Sequence, residues 1–166
     1  MKKYEFTGEE KEVFGRTLYR IRAVRDFANV HSGDVGGWIE SEENLSHADN
    51  AWVYGNARVC GDAWVYGDAR VYGNARVYGN ARVYGGEWPN SPFFVQGTRW
   101  SFNVASSDIV RCGCQEHTWQ EWHDRYAEIS KEHEADDVLS EYIRYFNLSC
   151  ELYGHEDCKI EWTDSK

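Results

Sequence analysis

Between Ala51 and Gly86 small, branched and turn-forming residues recur with a period of six: AWVYGN, ARVCGD, AWVYGD, ARVYGN, ARVYGN, ARVYGG. Valine occupies every sixth position from Val53 to Val83, with alanine two residues before each and glycine two after. A helix cannot keep this period on one side, because its apolar positions drift by 3.6. A short strand followed by a corner can. Within A-R-V-Y the alternation of a strand turns valine to one side and its Arg and Tyr neighbours to the other. Gly-Asn and Gly-Asp then supply the turn, since both tolerate unusual backbone angles. Three such units per coil make a parallel β-helix. Valines eighteen apart should stack: Val53 on Val71, Val59 on Val77, Val65 on Val83. Ile39 and Leu45 predict a preceding coil, with two extra residues before Val53. Roughly three coils at about 4.8 Å each stand only about 15 Å tall, so both ends need caps.

The flanks have other patterns. Residues 3–30 read as two or three strands, with Leu18, Arg20 and Arg22 on one side and Tyr19, Ile21 and Ala23 on the other. A hairpin sealing the first coil is predicted. After the repeat, PNSP, QGT and ASSD divide short strands. Trp119, Trp122, Tyr126 and Ile129 then recur at helical spacing. A second helix is expected to begin at Asp136 or Asp137 and to carry Val138, Leu139, Tyr142, Ile143, Phe146 and Leu148. The fold class is therefore mainly β with an α appendage, in four segments. These are an N-terminal β cap (1–32), a hexapeptide-repeat β-helix (33–86), short strands (87–115) and an acidic helical tail (116–166).

Charge and composition narrow the function. A net charge of −10 disfavours general DNA or RNA binding and an anionic membrane surface. Residues 116–166 hold 14 acidic and 5 basic side chains, whereas residues 51–84 hold 4 basic and 2 acidic ones. The repeat is thus a positive island, where an anionic partner is expected. Aromatics reach 16%, with 8 Trp and 11 Tyr, enough to place flat amphipathic rings at the surface. The start has no apolar stretch resembling a signal peptide, and no run approaches a membrane span. A cytoplasmic location is expected, with the five cysteines as reduced thiols.

GDVGGWIESEENLS (33–46), the WVYGNARV array, QGTRWSFNV (96–104) and CGCQEHTWQEW (112–122) together resemble a group of phage- and prophage-encoded hexapeptide-repeat proteins. The resemblance runs from about residue 3 to residue 154 and implies a left-handed β-helix, a trimeric habit and an accessory role in an infected host cell. Phage accessory proteins often counter host defence, some by sequestering nucleotide signals. Cys112 departs from the group, in which an aliphatic residue usually precedes Gly-Cys.

Candidate chemistry is of three kinds. On the coil faces Arg58 should stack over Arg76, Tyr54 over Tyr72 and Tyr66 over Tyr84, with Trp52 over Arg70 and Trp64 over Arg82. Such ladders suit Arg–aromatic packing, self-association or a ligand whose phosphates meet Arg and whose base stacks on Tyr or Trp. Cys112-x-Cys114-x-x-His117 has spacing tighter than the usual zinc pattern, so no metal is expected and buried thiols are the simpler reading. Thr118 with Glu121 forms a T-x-x-E capping box; a helix start can also hold an anion beside His117. Residues 51–86 contain no His and no inserted loop, unlike hexapeptide acyltransferases, and no G-x-S-x-G or P-loop is present.

The expectation is a non-enzymatic phage anti-defence protein, a homotrimer without cofactor, that sequesters a small anionic, nucleotide-like ligand. The expected ligand-binding residues are Arg70, Arg76, Arg82, Tyr72, Tyr78, Arg99, Trp100, His117 and Thr118. One alternative is an inhibitor that covers a basic host protein with its acidic surface; another is a hexapeptide acyltransferase.

Overall fold

The computed structural model describes residues 1–162, in two compact units, Met1–Pro92 and Phe93–Lys166. It is mainly β, a short parallel β-helix with an N-terminal β cap, followed by a helix-bearing unit.

The first unit opens with β1 (Tyr4–Val13), β2 (Arg16–Ala23) and β3 (Val35–Ile39). Seven two-residue strands follow: β4 (Trp52–Val53), β5 (Arg58–Val59), β6 (Trp64–Val65), β7 (Arg70–Val71), β8 (Arg76–Val77), β9 (Arg82–Val83) and β10 (Glu87–Trp88). Successive strands take successive faces of the coil. Face I is β1-β2-β3-β5-β8, and face III holds β4, β7 and β10, with β7 in the middle. Face II holds β6 and β9, with Leu45 bridged to Val65. The eighteen-residue register is the expected one: Val53 opposes Val71, Val59 opposes Val77, and Val65 opposes Val83. Ile39 opposes Val59, so the earlier coil exists too.

The inward row explains why this sequence winds. All six repeat valines and their alanines are at most 1% exposed. Branched side chains fill the flat walls and alanine fits the corners. Gly55, Gly61, Gly67, Gly73 and Gly79 turn those corners at positive φ. At Gly67 a Cβ would also stand 2.3 Å from the Tyr84 carbonyl oxygen, so a side chain is excluded by space as well as by angle.

The first coil needs special parts. β2 pairs antiparallel with β3 and covers its open edge. The β1–β2 turn places Phe14 and Gly15 both at positive φ, the geometry of a two-residue hairpin loop. Asn44, 1% exposed, stands in for a ladder step. Its oxygen accepts from the Glu40 and Ser41 amides, and its nitrogen donates to the Gly61 and Ala63 carbonyls, at 2.9–3.1 Å. Lys3 is fully buried and donates to the carbonyls of Asp49 and Ala51, inside the two-residue expansion before Val53. Burial pushes its ammonium down to about 8, against a smaller upward pull from Asp49.

The second unit is an antiparallel meander of β11 (Phe94–Gln96), β12 (Ser101–Val104), β13 (Ile109–Cys112) and β14 (Gln115–Thr118), then α1 (Trp119–Glu132) and α2 (Leu139–Tyr153). The capping box at Thr118 forms: its hydroxyl accepts from the Glu121 amide, and the Glu121 carboxylate accepts from the Thr118 amide. α2 begins at Leu139, later than the sequence suggested. Asp136 instead accepts from Ser130 Oγ and Asp137 pairs with Arg99, so both acids tie the turn rather than cap the helix. Among the described residues no helix is long and apolar enough to cross a membrane.

Candidate functional site

The winding rule separates several residues that the sequence grouped. Arg70 and Tyr72 belong to face III, Arg76 and Tyr78 to face I, and Arg82 to face II. Residues six apart fall on adjacent faces, and only residues eighteen apart share one. Arg70 lies 3.7 Å from Glu87, whose carboxylate also accepts from Tyr72 Oη at 3.4 Å. Arg82 lies over the Trp64 ring at 5.2 Å. Trp52 is not a surface ladder residue: it is 1% exposed, with Tyr4 and Phe27 edge-on against it. The open aromatic surface expected for self-association is smaller by that ring, because the N-terminal segment covers it.

Arg99, Trp100, His117 and Thr118 belong to the second unit. Arg99 holds the α1–α2 turn through the Glu134 carbonyl and Asp137. Trp100 packs on Gly113, where a Cβ would meet its ring at 3.1 Å. His117 sits edge-on to Trp122 and 3.3 Å from Gln115 Oε1. The Thr118 amide and hydroxyl both face the Glu121 carboxylate at 2.9 Å. An incoming anion at that helix start would have to displace a carboxylate already seated there. Cys112 and Cys114 flank the β13–β14 turn, and burial pushes the Cys112 thiol up to about 12. Among the described residues no three His, Cys, Asp or Glu side chains are grouped to hold a metal.

Face I carries a row of cations. Register aligns Arg20 with Trp38, Trp38 with Arg58, and Arg58 with Arg76, all pointing outward from the inward Ile39–Val59–Val77 row. Lys11, from β1, reaches across so that its Nζ lies 3.8 Å from the Trp38 ring centre, while the Arg20 guanidinium lies 5.0 Å from it. Four cations therefore line one sheet face, and among the described residues none of them has a carboxylate at ion-pair distance. The nearby Glu40 is committed elsewhere: Arg16 Nη1 donates to both of its carboxylate oxygens at 2.8–2.9 Å, and the Gly61 amide donates to it at 2.6 Å. Arg20 Nε and Trp38 Nε1 are buried without an acceptor, so the face has more donors than acceptors. Desolvation, and then Arg58 and Arg20, hold the Lys11 ammonium down to about 8. Tyr78, 47% exposed, follows Val77 at the same edge.

Sequence reasoning reached Arg58, Arg76 and Tyr78 here and missed Lys11, Arg20 and Trp38. The available signal was the pair Arg20 and Arg22, on one side of the strand expected to seal the first coil. Lys11 becomes visible only once the hairpin register is known.

The repeat matches the YdcK β-solenoid repeat family over residues 51–67, 63–76, 69–85 and 75–88. The chain is a β-solenoid repeat protein. One relative, named uncharacterized acetyltransferase YdcK, from Escherichia coli (strain K12), is 39% identical over 51 residues. That stretch is 31% of this chain and only 15% of the relative, so the likeness covers a part of each protein rather than the whole.

Proposed function

We propose that this solenoid protein binds, without catalysis, an anionic ligand carrying phosphate and a base, and that face I is its binding surface. The supporting observation is the row Lys11, Arg20, Arg58 and Arg76 around Trp38, left without carboxylate partners in a chain of net charge −10. Like charges stacked one strand apart repel, and a phosphate between them turns that repulsion into charge-assisted hydrogen bonds. Tyr78 offers an exposed ring beside Arg76 on which a base stacks. The resemblance to phage-encoded repeat proteins extends the proposal to its setting: sequestration of a nucleotide signal of host defence, by an oligomer.

Acetyl transfer is the competing reading, prompted by the name of the YdcK relative. Residues 51–88, the stretch matched by the repeat family, contain no His, Ser, Thr or Lys. That stretch therefore lacks the histidine base on which hexapeptide acyltransferases rely, and likeness of fold alone does not carry the activity over. Turnover of acetyl-CoA by the purified chain would favour transfer over binding.

Lys11 gives the proposal a pH signature. Its free-state value is about 8, against an ordinary 10.5. An anion prefers the ammonium, so affinity is full below about pH 8 and declines as pH rises through that value. Calorimetric titration with a nucleotide between pH 7 and 9.5 should show this decline. Near pH 8 the complex should also take up a proton, seen as heat that depends on buffer ionisation. A flat affinity across the range argues against Lys11 as a contact.

A further inference from the structure

The second unit contains a cavity of about 140 Å³ between its meander and its two helices. We propose that this cavity is a binding site for a neutral, single-ring aromatic molecule, independent of the face I ligand.

Its size sets the ligand class. Well-packed interiors have few voids larger than a water molecule, and a volume of about 150 Å³ is enough to take up benzene. The wall is built from Phe102 of β12, Trp122 and Ile129 of α1, and Tyr142, Ile143 and Phe146 of α2. Aromatic rings on several sides suit edge-to-face contact with another ring.

Its buried wall is poor in charge. Three of its polar groups are bonded within the protein: Trp122 Nε1 donates to the Val110 carbonyl at 2.9 Å, and Ser130 Oγ donates to Asp136 at 2.8 Å. Tyr142 Oη donates to the Trp100 carbonyl and accepts from the Arg99 and Trp100 amides. Cys112, also in the wall, keeps its proton, its thiol being pushed up to about 12 by burial. None of these groups offers a charge to a carboxylate or an ammonium, and the one ionisable imidazole of the lining, His133, stands outside the buried wall. His133 and Cys114, the exposed members of the lining, mark the mouth, at the α1–α2 turn and the β13–β14 turn.

The test is fluorine NMR of fluorobenzene titrated with the full chain, with fluorobenzoate as a charged counterpart. The expected result is saturable broadening or shift of the fluorobenzene line, competed away by benzene, with no response from fluorobenzoate. Cys112→Phe and Leu139→Phe each place a ring in the cavity, and whichever folds should lose the effect. Arg58→Glu, on the other unit, should leave it unchanged. Three results overturn the proposal: no saturable response from wild type, equal binding of fluorobenzoate, or full binding by a folded cavity-filled variant.

Discussion

Replacing Asn44 with alanine is expected to lower the unfolding midpoint of the solenoid unit by about 15 °C or more. Four backbone groups lose their partner at once: the Glu40 and Ser41 amides and the Gly61 and Ala63 carbonyls. Each buried group left without a hydrogen bond costs about 1–3 kcal/mol, and one kcal/mol moves the midpoint of a domain this size by about 4–8 °C. Asn44→Asp separates this account from simple packing. The aspartate keeps the shape and accepts from both amides, yet it turns an oxygen toward two carbonyl oxygens. Differential scanning calorimetry should therefore find Asn44→Asp destabilised as well. A wild-type midpoint for that variant would show that Asn44 acts through its volume alone.

The second large effect is on binding. Reversing two charges of face I, Arg58→Glu with Arg76→Glu, should abolish affinity for the nucleotide-type ligand, by about a hundredfold or more. One charge-assisted hydrogen bond contributes about 1.5–3 kcal/mol, which is about ten- to a hundredfold in Kd. Reversal adds repulsion to that loss. Both side chains point away from the packed Val59–Val77 row, so the fold should survive, and an unchanged melting curve without ligand would show it. Arg70→Glu and Arg82→Glu, on the other two faces, should leave affinity close to wild type. If those substitutions are as damaging as the pair on face I, the site has been assigned to the wrong face.

The contrast between Arg76 and Arg70 shows how much the sequence carries. The six-residue period alone yields the strands, the inward valines and their eighteen-residue stacking, because it states the alternation and the corner explicitly. It also shows the repeat to be basic. Which arginines can act together depends on winding, and a list of arginines spaced by six crosses three faces. The N-terminal segment is harder still. Trp52 reads like the other outward aromatics of the repeat, but Tyr4 and Phe27 cover it through contacts made 25 or more positions away in the chain. Lys11 reaches Trp38 only through the register of a hairpin, and Asn44 replaces a strand pair with one side chain. Neither leaves a periodic mark. In the second unit the capping box at Thr118 was legible because it is local. The cavity was not, since its wall is gathered from β12, the β13–β14 turn and both helices, positions up to about 60 residues apart in the chain.

The central claim is that the chain holds an anionic, base-containing ligand and returns it unchanged. The most direct measurement is mass spectrometry of small molecules released by denaturation, after incubating the chain with a library of nucleotide signals and removing unbound compounds. The account predicts that a phosphate-bearing nucleotide is retained by the wild type and released chemically intact, and that the face I double variant retains none. A library that passes through without any retained compound, or a retained compound released as a modified product, would contradict it.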